Sequence, residues 1–185
     1  GKWRADMHTI TRKTTMNAEQ LKARQAPLKA AYQQDPSLAR LTLSSVGRLA
    51  PTEQTVRIET GHGKVLAGLH QAAGGSGEDA CSGEMLLEAL VACAGVTLQA
   101  VATAMGMELR GGQVCAEGDL DFRGTLGLSK DTPVGFTAIR LRFTLDTDAS
   151  DEQLATLLRL SERYCVIFQS LKQTPQLLLE RQRPT

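Results

Sequence analysis

The chain has 185 residues and a formal net charge of +1, with 42% hydrophobic and 22% charged residues. This balance is typical of a globular protein of one domain and excludes wholesale disorder. The near-zero charge and the 4% aromatic content argue against a general nucleic-acid-binding protein, which needs a basic surface and rings for base stacking.

The N-terminal residues 1–16 are polar and follow no pattern, and we interpret them as a tail. They carry charge with no apolar run behind it, which is not the pattern of a signal peptide, so we expect a cytoplasmic protein with reduced thiols. Residues 17–36 are a predicted helical extension, because Asn17 and Gln20 have the spacing of a capping box. Pro27 predicts a kink or two short helices within that range.

Three short apolar runs come next, at residues 38–46, 55–60 and 64–69. In the second run, Val56 and Ile58 alternate with charged side chains, which is typical of a strand with one buried face. We therefore predict three strands of an antiparallel meander. The glycine-rich loop that follows contains acidic side chains that would repel a phosphate, so a phosphate-binding loop is not predicted.

One apolar segment, residues 85–107, is long enough to cross a bilayer. It contains Glu88 and Gln99 and is rich in alanine rather than leucine, and an unpaired glutamate is costly to place inside a membrane. We therefore predict the central helix of a soluble fold, buried nearly all round. Helical spacing places five of its residues on the side towards the core: Leu86, Leu90, Cys93, Thr97 and Val101.

The C-terminal part predicts two more strands and a second core helix. Residues 108–122 contain one apolar run, and residues 137–146 alternate so regularly that one face of that strand must be buried. Ser150 and Gln153 form a second capping-box pattern, which predicts the start of a helix. The helical pattern then changes near Cys165.

The four cysteines are too few for the disulfide framework of a secreted protein, and none forms a CxxC pair. A buried free cysteine in mid-helix, such as Cys93, is usually only a small hydrophobic residue. If a new helical turn starts at Cys165, its N–H groups and Arg163 would favour the thiolate there. A metal site built from Cys81, Cys93, Cys165 and His70 is conceivable, but none of these residues has typical zinc-ligand spacing. Neither a metal nor a cofactor is predicted.

Both cysteine segments resemble those of the OsmC/Ohr superfamily of osmotically induced and organic hydroperoxide resistance proteins. Residues 81–98 resemble the family's hallmark helix, with an acidic residue, a leucine pair, an alanine-rich turn and then Cys93. Residues 161–171 resemble the segment that carries the family's second cysteine, here Cys165. The resemblance covers roughly residues 38–182, and the N-terminal extension is similar to one carried by a subgroup.

The resemblance implies an α+β fold, in which two central helices pack on curved antiparallel sheets and residues 37–185 form a single domain. It implies an intertwined homodimer with its sites at the subunit interface. The composition and Glu88 already argue against a nucleic-acid or membrane partner. The resemblance further implies a thiol peroxidase that acts on organic hydroperoxides in an oxidative stress response. In that chemistry Cys93 becomes a sulfenic acid and forms a disulfide with Cys165, which a dithiol, lipoyl-based in the family, reduces again.

The family activates its helix cysteine with an arginine from an early β-turn, and Arg48, after Gly47, is the best match here, with Arg57 as the alternative. A mid-helix thiol gains nothing from its own helix dipole, so it needs a nearby cation to become a thiolate. The family's glutamate before the helix corresponds to Glu84, which is displaced by one position. If Glu84 is already helical, it lies about 180° around the axis and roughly 13 Å along it from Cys93, too far to act on that thiol directly.

Two other functions stay open: a non-catalytic member of the family that binds a small apolar ligand in the interface cavity, and a purely structural dimer. The dimer itself is also favoured by the composition of the central helix. That helix has few polar positions, and one chain of this length would struggle to cover its other faces as well as two half-buried sheets. Ala92 and Gly95 would let a neighbouring helix approach closely, in an interface of about 2,000 Å² or more.

Overall fold

A computed structural model describes residues 16–50 and 54–178 of the chain. Of the residues 1–16 that were interpreted as a tail, residues 1–15 lie outside the described part. The elements in chain order are α1 (Ala18–Gln34), β1 (Gly47–Ala50), β2 (Thr55–Thr60), β3 (Gly63–Gly68), β4 (Ala80–Cys81), α2 (Ser82–Ala104), β5 (Gly111–Asp119), α3 (Phe122–Thr125), β6 (Ala138–Asp146), α4 (Asp151–Tyr164) and α5 (Val166–Ser170).

The described strands form two separate sheets in an α+β arrangement. One sheet has the order β1–β2–β3–β4, antiparallel except for the short parallel pairing of β3 with β4. The other is the antiparallel pair β5–β6, in register from Gly111 opposite Asp146 to Asp119 opposite Ala138. The predicted strands at residues 55–60 and 64–69 are confirmed within one residue at each end.

The N-terminal extension is a single helix, so of the two predicted alternatives, a kink or two short helices, the second is wrong. Asn17 caps α1 with the predicted capping box to Gln20, and the helix continues through Pro27. None of its residues is buried, so water can satisfy the carbonyl group that the proline leaves without a donor.

The predicted strand at residues 38–46 is also wrong, since β1 begins only at Gly47. Asp35 accepts hydrogen bonds from the backbone and the hydroxyl of Ser37, at 3.0 and 2.6 Å, and this starts a short 3₁₀ turn over Pro36–Ala39. The leucines beyond the turn have no surface to pack on in one subunit: Leu41 is 81% exposed. Their partial alternation therefore did not indicate a buried strand face.

The central helix α2 is the core element, and it packs against α1, β4, β5, α4 and α5. By length and composition alone, this helix could cross a membrane. In the structure, 22% of its most apolar stretch of 18 residues is buried. Its buried residues recur every fourth position: Leu90, Ala94, Leu98 and Ala102. The prediction that it is buried nearly all round is wrong for one subunit, because Val96 is 68% exposed and Leu86, expected towards the core, is 38% exposed.

The β5–β6 sheet and α4 cover the buried face of α2. Alternate residues of β6 face the helices, as its pattern predicted, and pack in two apolar clusters around α2. Ser150 caps α4 with the predicted capping box to Gln153. The charged residues of β5 and β6 lie on the opposite face, where Arg140 bonds the carboxylate of Asp119 at 2.6 and 2.8 Å.

The β1–β4 sheet has an apolar face that the described chain leaves largely without a partner layer. The close contacts of β1, β2 and β3 are with one another and with β4. Val56, Ile58 and Val65 are only half-buried, and Leu49 is 77% exposed. An apolar sheet face without a covering layer is a surface that needs burial elsewhere.

Candidate active site

Cys93 and Cys165 meet in one apolar cluster between α2, the β5–β6 sheet and α5. Cys93 lies midway along α2, and Cys165 lies between α4 and α5. Both are free thiols, and Cys165 is 2% exposed whereas Cys93 is half-buried. A small molecule therefore reaches the Cys93 sulfur first. The apolar side chains packed around the two thiols are Leu90, Ala94, Val114, Ala116, Ile139, Leu141, Phe143, Ile167 and Phe168.

Cys165 ends one helix and begins the next. Its backbone is extended, with φ −74° and ψ 108°, while its N–H still closes α4 by donating to the Ser161 carbonyl at 3.0 Å. The first N–H groups of a helix have no intrahelical partner. At the start of α5 these belong to Val166 and Ile167, and both hydrogen-bond the sulfur of Cys93.

The two thiols are driven in opposite directions. Burial raises the pKa of the Cys93 thiol, but four hydrogen bonds outweigh it and hold this pKa below its ordinary value. The donors are the Ile167 backbone, the Cys165 thiol, the Thr97 hydroxyl and the Val166 backbone. Burial also raises the pKa of Cys165, and the bond to Cys93 and its charge raise it further against opposing bonds from the Phe168 and Ile167 backbones. Of the two thiols, Cys93 is therefore the one that loses its proton more readily.

The sequence analysis considered the case of a new helical turn at Cys165, and α5 does begin directly after this residue. The help of that turn, expected at Cys165, goes instead to Cys93. The net effect at Cys165 is a raised pKa, and it is Cys93 that gains from the N–H groups of α5. Arg163, the expected helper of Cys165, instead lies over the ring of Tyr164, 5.6 Å from its centre. The N–H groups of α5 and the Cys93 sulfur of α2 belong to different elements, so sequence spacing carried no signal for their contact.

Sequence reasoning placed Thr97 on the core face of α2 without giving it a role. Its hydroxyl oxygen lies 3.9 Å from the Cys93 sulfur. The two residues are four apart on one helix, which is the spacing at which side chains meet. That spacing could have identified the contact.

Arg48 and Arg57, the alternative activators, lie directly opposite each other on β1 and β2. Both are exposed and share one face of the sheet, because cross-strand partners point the same way. Among the described residues, the elements that pack closely against α2 do not include β1 or β2. Within one subunit the structure therefore does not bring either arginine to Cys93.

Glu84 lies in the first turn of α2 and is helical, so it is remote from Cys93 in its own subunit. It lines a cleft at this end of the helix, together with His70, Cys81 and Phe136. The imidazole of His70 accepts the N–H of Ala72 through Nδ1 at 3.0 Å. Adjacent apolar walls enclose about 400 Å³.

The remaining cysteines do not join the thiol pair. Cys81 is the residue before α2 and lines the cleft. Cys115 lies on β5, opposite Arg142 of β6 and one residue from the core-facing Val114. The conceivable metal site is therefore split, with Cys81 and His70 at the cleft and the other two cysteines in the core. Within residues 16–50 and 54–178, no group of three or more His, Cys, Asp or Glu residues could hold a metal ion.

The sequence matches the family model described as OsmC-like protein over residues 75–180, which is more than half of the chain. A comparison with curated proteins gives no significant match. The matched range contains α2, with Cys93, and the junction with Cys165.

Several solved structures share the fold at low sequence identity. An organic hydroperoxide resistance protein OsmC from Legionella pneumophila is 15% identical, with a TM-score of 0.56 over 72% of this chain and 92% of that chain. An OsmC-like protein from Mycoplasma pneumoniae is 13% identical, with a TM-score of 0.59 over 71% and 88% of the two chains. An organic hydroperoxide resistance protein from Elizabethkingia anophelis, with thiocyanate bound, is 12% identical, with a TM-score of 0.55 over 72% and 89%. At these identities the likeness shows the fold alone.

Proposed function

The chain belongs to the OsmC-like protein family, and from that membership we propose that it is a thiol-dependent peroxidase that reduces organic hydroperoxides. The observation that carries the proposal is the pairing of Cys93 with Cys165. One thiol is half-buried with a lowered pKa, and the other is buried with a raised pKa in the same apolar cluster. A nucleophile beside a protonated second thiol is the arrangement that a two-cysteine peroxidase needs.

In the first step the Cys93 thiolate attacks one oxygen of the hydroperoxide. An S–O bond forms, the O–O bond breaks, and the leaving alkoxide takes a proton to become the alcohol. Cys93 is thereby oxidised to a sulfenic acid. The apolar residues around the sulfur favour an alkyl hydroperoxide over hydrogen peroxide, because they can bury the alkyl group.

In the second step the Cys165 sulfur attacks the sulfenic sulfur of Cys93. An S–S bond forms, and the hydroxyl group leaves as water with the proton of the Cys165 thiol. A dithiol reductant, which the family resemblance implies is lipoyl-based, then exchanges with the disulfide and is itself oxidised to a disulfide. Cys93 and Cys165 return to thiols, so the cycle balances without a metal or a bound cofactor.

We further propose a cytoplasmic homodimer. The support is the apolar face of β1–β3 and the exposed stripe of α2 around Val96, which one subunit leaves uncovered. A second subunit would bury both, and it would be the source of Arg48 or Arg57 at Cys93. Glu84 would likewise act at the site of the partner.

A second function is favoured by the cleft at the start of α2. Its apolar walls and its volume of about 400 Å³ suit a small apolar ligand, bound without chemistry. In that case Cys93→Ser leaves ligand affinity intact, and no peroxide is consumed.

The test is a titration of the reduced protein with cumene or tert-butyl hydroperoxide, followed by peptide mapping without reductant. We expect a Cys93–Cys165 disulfide and one equivalent of alcohol. Cys93→Ser should consume no peroxide, and Cys165→Ser should stop at a sulfenic acid that a dimedone-type reagent traps. Cys115→Ser is the matched control, with full activity. If the wild type forms no such disulfide, the two-cysteine mechanism is wrong.

A further inference from the structure

We propose that Thr97 is a positioning residue for the reactive sulfur of Cys93, holding it in place through its hydroxyl group. The inference rests on the proposed function, because it assigns Cys93 as the nucleophile. The assignment concerns how the thiol is oriented within its own helix. It adds a contact from α2 itself to the backbone contacts that α5 supplies.

The conformation of the Thr97 side chain supports this role. A threonine inside a helix commonly donates its hydroxyl to the carbonyl group four residues earlier. Thr103, two turns further along α2, does this, with its Oγ1 2.8 Å from the Gln99 carbonyl oxygen. The hydroxyl of Thr97 instead lies 3.9 Å from the Cys93 sulfur. The same residue type in the same helix therefore serves backbone in one place and a sulfur in the other.

The direction of the hydrogen bond between Thr97 and Cys93 depends on the protonation state of the thiol. A thiol can donate to the Thr97 oxygen, whereas a thiolate can only accept from the Thr97 hydroxyl. A bond to the charged form is the stronger of the two, so the contact favours the thiolate. The lowered pKa of Cys93, which Thr97 helps to lower against burial, agrees with this direction.

The surroundings of the Cys93 sulfur also support the role of Thr97. The groups that α2, β5, β6 and the α4–α5 junction turn towards it are apolar side chains, backbone N–H groups, the Thr97 hydroxyl and the Cys165 thiol. Within the described residues, Cys165 is thus the one titratable group facing Cys93. Because the described chain itself supplies no charged side chain there, the Thr97 hydroxyl has a measurable share in setting the thiolate, alongside the arginine that we propose comes from a second subunit.

The experiment compares Thr97→Val, which keeps the branched shape and removes the hydroxyl, with Thr97→Ser, which keeps the hydroxyl. Thr103→Val is the matched control, because it makes the same change on the same helix at a half-buried threonine away from the thiol. Each variant is made with Cys81→Ser and Cys115→Ser, so that iodoacetamide meets only Cys93 and Cys165. The rate of Cys93 alkylation is followed against pH, with peptide mapping to identify the labelled cysteine.

We expect Thr97→Val to slow alkylation of Cys93 at neutral pH about three- to tenfold, which corresponds to half to one pKa unit, with the midpoint moved to higher pH. Thr97→Ser should restore the wild-type profile, and Thr103→Val should leave it unchanged. A general loss of structure would instead appear in far-ultraviolet circular dichroism and would raise the labelling of Cys165. An unchanged pH midpoint in folded Thr97→Val overturns the proposal.

The alkylation profile does not depend on peroxide chemistry. If the midpoint shifts but the wild type consumes no hydroperoxide, the role of Thr97 holds and the proposed function fails. If the wild type consumes hydroperoxide and Thr97→Val shows the same midpoint and the same rate, the proposed function holds and the role of Thr97 fails.

Discussion

Cys93 and Cys165 share one cluster, but their thiols couple to folding with opposite signs. The lowered pKa of Cys93 adds stability above the ordinary thiol pKa, and this contribution is lost as the pH falls through the folded value. The raised pKa of Cys165 acts in reverse: its contribution is present below the ordinary pKa and is lost as the pH rises through the folded value. Ionising Cys93 is thus favoured by the fold, and ionising Cys165 is opposed by it.

At the same scale, we predict that Arg48 is the arginine that activates Cys93 in the proposed dimer. We expect Arg48→Ala to slow alkylation of Cys93 at neutral pH several-fold, because removing a cation near a thiolate raises the thiol pKa. Arg57→Ala is the matched control, since it removes the same charge from the cross-strand position. The measurement is the rate of iodoacetamide labelling at fixed pH. A slower rate in Arg57→Ala alone would show that Arg57 is the activating residue.

At the scale of elements, regular local patterns were sufficient for prediction. Both capping boxes and the alternation of β6 depend on residues within one element, and all are confirmed. The strand expected at residues 38–46 failed because exposed leucines can alternate without a surface to pack on. The help that α5 gives to Cys93 could not be predicted, because Cys93 lies 72 residues before Cys165, where α5 starts, and the two segments meet only after folding.

The start of β5 offers a test of how closely the two strands of its sheet are packed. A Cβ at Gly112 would lie 2.6 Å from the backbone oxygen of Thr144 on β6, and Gly112 has a positive φ of 155°. A Cβ at the adjacent Gly111 would meet nothing within 4 Å. Gly112→Ala should therefore lower the free energy of unfolding by about 1–3 kcal/mol, through overpacking and backbone strain.

The matched control for this change is Gly111→Ala, which should stay within about 0.5 kcal/mol of the wild type. Urea unfolding of all three proteins at one protein concentration gives the comparison, because an assembly unfolds with concentration-dependent stability. Equal stability of the two alanine variants would contradict the packing seen between β5 and β6.

For the whole molecule, the uncovered apolar surfaces predict a dimer of twice the 19.9 kDa chain mass. Static light scattering at micromolar concentration should report this mass. Val96→Asp should shift it towards the monomer, because the charge enters the exposed apolar stripe of α2. Leu128→Asp places the same charge at a 73% exposed leucine outside the helices and strands, and should leave the mass unchanged. A folded wild-type species near 20 kDa would overturn both the dimer and a site completed by the partner.

The position of Cys165 between two helices gives oxidation a topological consequence. A bond from Cys93 to this junction would tie the middle of α2 to the end of α4 and close a covalent ring of 73 residues. A ring of that size removes conformational freedom from the unfolded chain worth about 4 kcal/mol. Each turnover would therefore alternate the protein between an open chain and a looped one. The looped, disulfide form would unfold at a higher temperature than the reduced form.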